Sequence, residues 1–201
     1  MIYYSYMTLP QTYIFFGRSG SGKGTQAVLL KEYIESQGRK VLYIETGEEL
    51  RSFSDSDNYT AKRTKETIEG GDFMPVFMPI WIWTNKFVKE YDGTQDLILD
   101  GVARRKGEAS ALDSALKFYE CKNINIINVV ISRDEAFKRL RLRSRNDDSD
   151  AGIWKRLDWY ERDVPDVLNY FKEIDGYIYH EIDGERSIED IHEDIKKMVC
   201  S

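Results

Sequence analysis

Short apolar segments recur along the chain, and the longer segments between them repeat apolar residues at helical spacing. The short segments are rich in β-branched and aromatic residues, as strands buried on both faces of a parallel sheet tend to be. We interpret them as five strands, at residues 13–16, 41–44, 97–99, 124–131 and 177–182. This alternation predicts an α/β fold, in which ligands bind at the carboxyl ends of the strands.

The helical segments carry signals of where they end. Gly38 lies just past the first of them, and a glycine at that position commonly ends a helix. The clearest helix is predicted over residues 152–171, whose apolar side chains share one face, and Pro165 predicts a kink within it. Residues 46–93 contain several helical pieces and no convincing strand. They predict a small helical insertion beside the sheet.

Composition narrows the class of protein and of partner. The chain has 201 residues, 41% of them hydrophobic and 32% charged, which fits one globular domain over residues 1–201. Its formal net charge of −6 disfavours nucleic acid and anionic membranes as partners. The spacing of Cys121 and Cys200 is that of neither a disulfide scaffold nor a zinc pair, so reduced thiols are expected. No signal-peptide pattern or membrane-length apolar run is present, so we expect a cytoplasmic protein, and we expect it to be a monomer.

Residues 17–25 read Gly-Arg-Ser-Gly-Ser-Gly-Lys-Gly-Thr, directly after the first predicted strand and at the start of a helical segment. In that context the pattern predicts a phosphate-binding loop, whose backbone N–H groups and helix N-terminus face phosphate oxygens. A Gly/Ser-rich linker is the alternative, but linkers rarely lie between a buried strand and an amphipathic helix. We therefore predict an ATP site formed by Gly20, Ser21, Gly22, Lys23, Gly24 and Thr25.

An acidic residue follows the third predicted strand at Asp100. A carboxylate at the end of a buried strand is well placed to organise Mg²⁺ and its water ligands near phosphates. Capping of a turn is the alternative for an isolated aspartate, but it is the weaker interpretation beside a phosphate loop. We predict that Asp100 and Thr25 hold Mg²⁺ through water.

The run Gly-x-x-Gly-x-Gly-Lys-Gly-Thr-Gln, with a glycine between lysine and threonine, resembles the loop of adenylate kinase and its nucleoside monophosphate kinase relatives. Further motifs of that family follow in order over nearly the whole chain. The resemblance implies a P-loop NTPase-like, five-stranded parallel sheet flanked by helices, with a helical acceptor-binding insertion and a short lid. The implied parts are a core at 11–45, 94–143 and 151–201, the insertion at 46–93 and the lid at 144–150.

Three segments match the acceptor site of the family. Thr-Gly-Glu-Glu-Leu-Arg at 46–51 is similar to a motif whose threonine lies by the acceptor base and whose arginine binds the acceptor phosphate. Gly-Asp-Phe-Met-Pro at 71–75 matches a base-contacting segment, and Asp-Gly-Val-Ala-Arg at 100–104 supplies a second phosphate arginine. In the last motif Ala103 replaces the usual proline. The resemblance implies that AMP contacts Thr46, Gly47, Arg51, Met74, Gly101, Arg104 and Glu108.

Arginines crowd into the segment 133–156. A solvated basic surface or a nucleic-acid patch is the alternative to a catalytic site, and the acidic overall charge disfavours the second. Phosphoryl transfer requires positive groups around the transferred oxygens and a site closed to water. An arginine-bearing lid would provide both.

Resemblance to short-lid adenylate kinases gives the basic residues their roles. Arg139 and Arg143 are implied to bind ATP, with the backbone near Arg186 against its adenine, while Arg145 and Arg156 are implied to contact AMP. The implied catalytic set is Lys23, Arg139, Arg145, Arg156, Asp147 and Asp148. The lid has no cysteine, so no zinc is expected.

The implied reaction is direct in-line transfer from Mg·ATP to AMP, giving two ADP. The alternatives are a kinase for GMP, UMP or CMP, and a sensor that binds ATP and AMP without turnover. Glu108 stands where the family has a base-reading glutamine, and its carboxylate suits the donors of guanine better than N1 of adenine. It could still accept from adenine N6–H while its other oxygen turns to Arg105, Lys106 or water, or it could be protonated. Thr46 favours adenine, so we predict AMP as the acceptor and improved AMP use in Glu108→Gln.

Overall fold

A computed structural model of the chain describes residues 9–143 and 149–199. The strands are β1 (Thr12–Phe16), β2 (Val41–Glu45), β3 (Asp96–Asp100), β4 (Ile124–Val130) and β5 (Tyr177–Asp183). The helices are α1 (Lys23–Ser36), α2 (Thr46–Ser54), α3 (Tyr59–Glu69), α4 (Phe77–Glu90), α5 (Lys106–Phe118), α6 (Arg133–Arg143), α7 (Asp150–Lys172) and α8 (Ile188–Val199). All five predicted strands are confirmed, and each end lies within about one residue of its prediction.

The five strands form one parallel sheet in the order β2-β3-β1-β4-β5. From β1 the chain runs toward the β2 edge, whereas from β3 it crosses to β4 on the other side of β1. The connections that leave these two neighbouring strands therefore diverge, and a crevice opens at their carboxyl ends. The predicted α/β fold with a five-stranded parallel sheet is confirmed.

The central strands β1, β3 and β4 are buried on both faces of the sheet, which explains why they are largely apolar. All five residues of β1 are buried, and the last four alternate between two core clusters. Ile14 and Phe16 belong to the cluster under α4, α5 and α7, while Tyr13 and Phe15 face α1 and α8. The edge strand β5 is more open, and its Ile178 is 51% exposed.

Helix ends follow the local signals in the sequence. Helix α1 ends at Ser36, and Gly38, at φ +76°, donates its N–H to the carbonyl of Glu35 at 2.9 Å, so the predicted stop is confirmed. Helix α7 begins two residues before its prediction, because the side chain of Ser149 caps it by accepting the N–H of Gly152 at 3.2 Å. Pro165 lies inside α7 without ending it, and the kink stays a prediction.

Residues 46–93 form α2, α3 and α4 without a strand, as predicted. Trp83 and Phe87 of α4 are each 1% exposed and join the larger core cluster, so this segment is anchored to the sheet. A smaller cluster within it contains Leu50, Met74, Met78 and Ile82. The division of the chain into core, insertion and lid stays a prediction. In the part of the chain that the structure describes, none of the helices has the length and apolar character needed to span a membrane.

Phe171 offers a direct test of the core. Its side chain is 0% exposed and lies 6.1 Å from the ring of Phe16 and 5.0 Å from that of Tyr177, measured between centroids. We expect Phe171→Ala to lower the free energy of unfolding by about 3–5 kcal/mol, because it leaves a cavity under the sheet. Phe118→Ala, at a side chain 79% exposed, is the matched control and should cost under about 1 kcal/mol in urea denaturation. Equal losses in the two variants would contradict this account of the core.

Candidate active site

A cavity of about 690 Å³ opens at the carboxyl ends of β1, β2 and β3, beneath α2 and α4. Its volume lies in the range of sites that bind small molecules. Sixteen of the residues singled out in the sequence line it: Gly20, Gly22, Lys23, Gly24, Thr25, Thr46, Gly47, Arg51, Met74, Asp100, Gly101, Arg104, Glu108, Arg139, Arg143 and Arg156. Residues from distant parts of the chain thus meet in one place.

The glycine-rich loop after β1 turns sharply into α1. Gly20 has φ +86°, and a Cβ there would lie 2.9 Å from the carbonyl oxygen of Ala136 and 3.1 Å from Cγ of Leu140. Only glycine therefore allows the loop to lie this close to α6. Ser21 is buried and does not line the cavity; its Oγ accepts the backbone N–H of Lys23 at 3.4 Å, so it supports the loop from within.

Lys23 and Asp100 face each other across the ends of β1 and β3, with Nζ 3.9 Å from Oδ1. Burial lowers the pKa of Lys23, and the Asp100 carboxylate opposes that shift. Burial likewise raises the pKa of Asp100, which Lys23 opposes. Oδ1 of Asp100 is buried without a hydrogen-bond partner, while Thr25 lines the same cavity.

The oxygen atoms of Asp100 and Thr25 suit a divalent cation whose other ligands are water and phosphate. Mg²⁺ commonly takes one carboxylate and a hydroxyl from the protein and keeps most of its water ligands. Asp100 with its unpartnered oxygen and Thr25 with its hydroxyl match that requirement. Within residues 9–143 and 149–199, no group of three or more His, Cys, Asp or Glu forms a self-sufficient metal site.

Two arginines project into the cavity from the α2 and β3 sides. Arg51 donates from Nη2 to Glu45 at 3.2 Å, and the guanidinium of Arg104 lies 5.7 Å from the ring centre of Trp159. Ala103, which stands where the family has proline, is fully buried with Val102 in the larger core cluster. Packing therefore fixes the path of the loop that carries Arg104.

Glu108 lines the cavity but is already bonded to the protein. The residue is 1% exposed, and its Oε2 accepts the backbone N–H of Arg104 at 2.9 Å. Its Oε1 accepts from Nε and Nη2 of Arg105 at 2.8 and 2.6 Å. Arg105 also donates to the carbonyl of Met74 and lies 4.7 Å over the ring of Phe73. Glu108 thus ties the Arg104 loop to the segment before α4.

Sequence reasoning gave no role to several residues that line the cavity, among them Phe73, Trp159, Tyr43 and Glu45. The rings of Phe73 and Trp159 lie 3.7 Å apart between centroids and join the segment before α4 to α7. Burial is the largest cause that raises the pKa of Tyr43, followed by the charges of Asp100 and Glu45. Trp159 could have been found from its position three residues after Arg156, on the same face of a helix.

The predicted lid and helix arginines are only partly brought together. Arg143 and Arg156 line the cavity, and Arg139 donates from Nε to Glu135 at 2.7 Å and from Nη1 to the carbonyl of Gly184 at 3.0 Å. The side chain of Arg186 pairs with Asp194 at 2.7 Å and does not line the cavity, while the carbonyl of Gly184 in the same turn accepts from Arg139. Arg145, Asp147 and Asp148 lie outside the described residues.

Comparison with known proteins gives consistent matches over most of the chain. A family profile described as adenylate kinase matches residues 15–176. Proteins named adenylate kinase include one from Prochlorococcus marinus (strain MIT 9301), 30% identical over 187 residues that cover 93% of this chain and 97% of that protein. Another, from Corynebacterium urealyticum, is 30% identical over 180 residues, 90% of this chain and 94% of that protein. A third, from Azobacteroides pseudotrichonymphae, is 32% identical over 189 residues, 92% and 94% respectively.

Proposed function

The chain belongs to the adenylate kinase family, whose members are phosphotransferases acting between ATP and AMP, and we propose that the cavity at the ends of β1, β2 and β3 is its catalytic site. The observation that carries this proposal is the meeting of Lys23, Arg51, Arg104 and Arg156 in one cavity. They come from four separate elements or loops. A protein that only bound a nucleotide would need fewer converging cations.

We assign ATP to the loop side of the cavity. Backbone N–H groups of the glycine-rich loop and the N-terminus of α1 would face its phosphates, with Lys23 as a mobile point charge. Arg139 and Arg143 line the same side from α6. The contact of Arg139 with the carbonyl of Gly184 supports an adenine site against the backbone after β5.

We assign AMP to the side of α2 and α4. Arg51 and Arg104 would bind its phosphate, since a guanidinium can donate two parallel hydrogen bonds to a phosphate. Thr46 is 2% exposed, and its Oγ1 has no hydrogen-bond partner, which supports a polar contact to the base. Met74 belongs to an apolar cluster beside it and would pack against the ring.

We propose Mg²⁺ as the cofactor, held through water by Asp100 and Thr25. Bound Mg²⁺ would neutralise charge on the phosphates of ATP. Lys23 and the arginines would stabilise the charge on the transferred phosphoryl oxygens, and the low exposure of Lys23 would strengthen its interaction most. The acceptor oxygen belongs to a phosphate that is already anionic, so no general base is needed. Cytoplasmic location and a monomeric state stay predictions from the sequence.

The function is tested with purified protein, Mg²⁺, ATP and each of AMP, GMP, UMP and CMP. We expect ADP from AMP, with little product from the other monophosphates and none when Mg²⁺ is chelated. Chromatographic separation of the products identifies the acceptor directly. Formation of no diphosphate from any monophosphate would favour the sensor, and higher kcat/KM with GMP than with AMP would change the assigned base.

Lys23→Met should abolish turnover, because the lysine acts on phosphate charge. Loss of such a charge-stabilising donor commonly costs about 3 kcal/mol of activation free energy or more, or roughly a hundredfold in kcat. Lys62→Met, at an exposed position on α3, is the matched control and should keep its rate. Urea denaturation of both variants separates lost chemistry from lost folding, and a Lys23→Met enzyme with over about a tenth of the normal kcat would show that the lysine is not catalytic.

The sequence predicts that Glu108→Gln uses AMP better, but the hydrogen bonds of Glu108 lead us to expect the opposite. Glutamine would place an amide N–H₂ against either the Arg104 N–H or the Arg105 guanidinium, both of which are donors to Glu108. One donor would lose its acceptor, at about 1–3 kcal/mol, so we expect lower stability and a higher KM for AMP. Steady-state kinetics with AMP and GMP checks this, with the exposed Glu69→Gln as control. A lower KM for AMP would restore the role of base reader to residue 108.

A further inference from the structure

Arg51 is paired with an acidic residue, Glu45, that belongs to none of the sequence motifs discussed above. Glu45 is the last residue of β2, lines the cavity and accepts from Nη2 of Arg51 at 3.2 Å. It lies beside Asp100 in the register of β2 and β3. Although Glu45 occupies the N-cap position of α2, its side chain caps no helix N–H and instead accepts from Arg51, close to the hydroxyl of Tyr43.

Local geometry directs this pair into the cavity. A Cβ at Gly47 would lie 3.2 Å from Nη1 of Arg51 and 3.6 Å from Oε1 of Glu45, so the pair lies directly over the glycine. A larger residue would have to push the guanidinium away. The side chains of Arg51 and Glu45 are 37% and 26% exposed, which leaves the pair accessible from the cavity.

The charge of Glu45 acts on the groups that surround the phosphates. It is one of the charges that raise the pKa of Asp100, after burial and against Lys23, and it also opposes the fall in the pKa of Lys23. Glu45 is therefore a negative charge at the edge of a site built for negatively charged ligands. The Glu45 carboxylate already accepts a hydrogen bond from Arg51. An anion that approaches Arg51 therefore meets this negative charge.

Resting on the proposed function, we propose that Glu45 competes with ligands for Arg51 in the acceptor site, and that this competition sets the selectivity of the site for nucleotides over small anions. An incoming phosphate group must share or displace this carboxylate. Inorganic phosphate can compete with the Glu45 carboxylate only through its charge. A nucleoside monophosphate also gains contacts of its base and ribose, which Thr46 and the apolar cluster around Met74 provide in the proposed arrangement.

The test compares binding of inorganic phosphate and AMP to Glu45→Gln and to the unaltered protein, by isothermal titration calorimetry at low ionic strength. Glutamine keeps an oxygen for Nη2 of Arg51 and removes the charge. We expect the Kd of inorganic phosphate to fall at least about fivefold, and the Kd of AMP to fall by a smaller factor. The ratio of the two Kd values, which a purely structural role would not move, is the decisive readout.

Two further variants make the result specific. Glu48→Gln makes the same charge change at an exposed position one turn along α2, outside the cavity lining, and should leave the ratio unchanged. Phosphate can also bind the glycine-rich loop, so the same measurement is made in an Arg51→Ala background, where the effect of Glu45→Gln should vanish. Glu45→Ala, expected to tighten phosphate binding in the same direction, replaces the glutamine variant if the latter does not fold.

An unchanged or higher Kd for inorganic phosphate in the Glu45 variants would overturn the proposal, and so would an effect that persists without Arg51. These binding measurements need no turnover. A protein that fails to convert AMP but shows the expected shift in phosphate affinity would refute the proposed function and not this inference. Normal turnover with no shift would refute the inference alone.

Discussion

The buried pair of Lys23 and Asp100 is the interaction on which the site depends. The two residues lie where neighbouring strands β1 and β3 end and their connections diverge, so the topology of the sheet brings them together. Each charge alone would be costly in this position, because burial shifts the pKa of each group toward its neutral form. Together they keep a cation and an acid at the base of the cavity. Phosphate and Mg²⁺ are the ligands that such a pair suits.

Charge around this pair is balanced locally and does not reflect the net charge of −6 of the chain. Among the residues that the structure describes, six basic and five acidic side chains line the cavity. Several of the acids hold a specific arginine, as Glu45 holds Arg51 and Glu108 holds Arg105, and Glu135 just outside does the same for Arg139. These contacts hold the guanidinium groups in position, and an incoming anion must compete with them. An arginine that is paired with a carboxylate is thus better oriented than an unpaired one, but it binds an anion less readily.

The sequence predicts the sheet and most of the cavity for identifiable physical reasons. Buried parallel strands are apolar throughout, and a glycine-rich loop between strand and helix has few other uses, so both can be read locally. For Glu108 the sequence offers Arg105 as a partner of one oxygen, and that contact is present. It could not show that the backbone N–H of Arg104 holds the other oxygen, or that Arg105 also reaches Met74, which lies 31 positions before Arg105 in the chain. The side chain of Arg186 lies outside the cavity for a related reason. It pairs with Asp194, while the backbone carbonyl of Gly184 in the same turn accepts from Arg139, and the predicted backbone contact with adenine stays a prediction.

The contact between the segment before α4 and helix α7 forms one side wall of the cavity. Phe73 packs against Trp159 with the two rings tilted by 37°, and Lys155 pairs with Asp72 and donates to the carbonyl of Gly70 at 3.3 Å. The segment before α4 is thus held to one face of α7 by an aromatic contact and an ion pair. Arg156 follows Lys155 on that helix and lines the cavity. The packing of this wall and the placement of one positive charge therefore depend on the same helix, and a change in its packing would alter both.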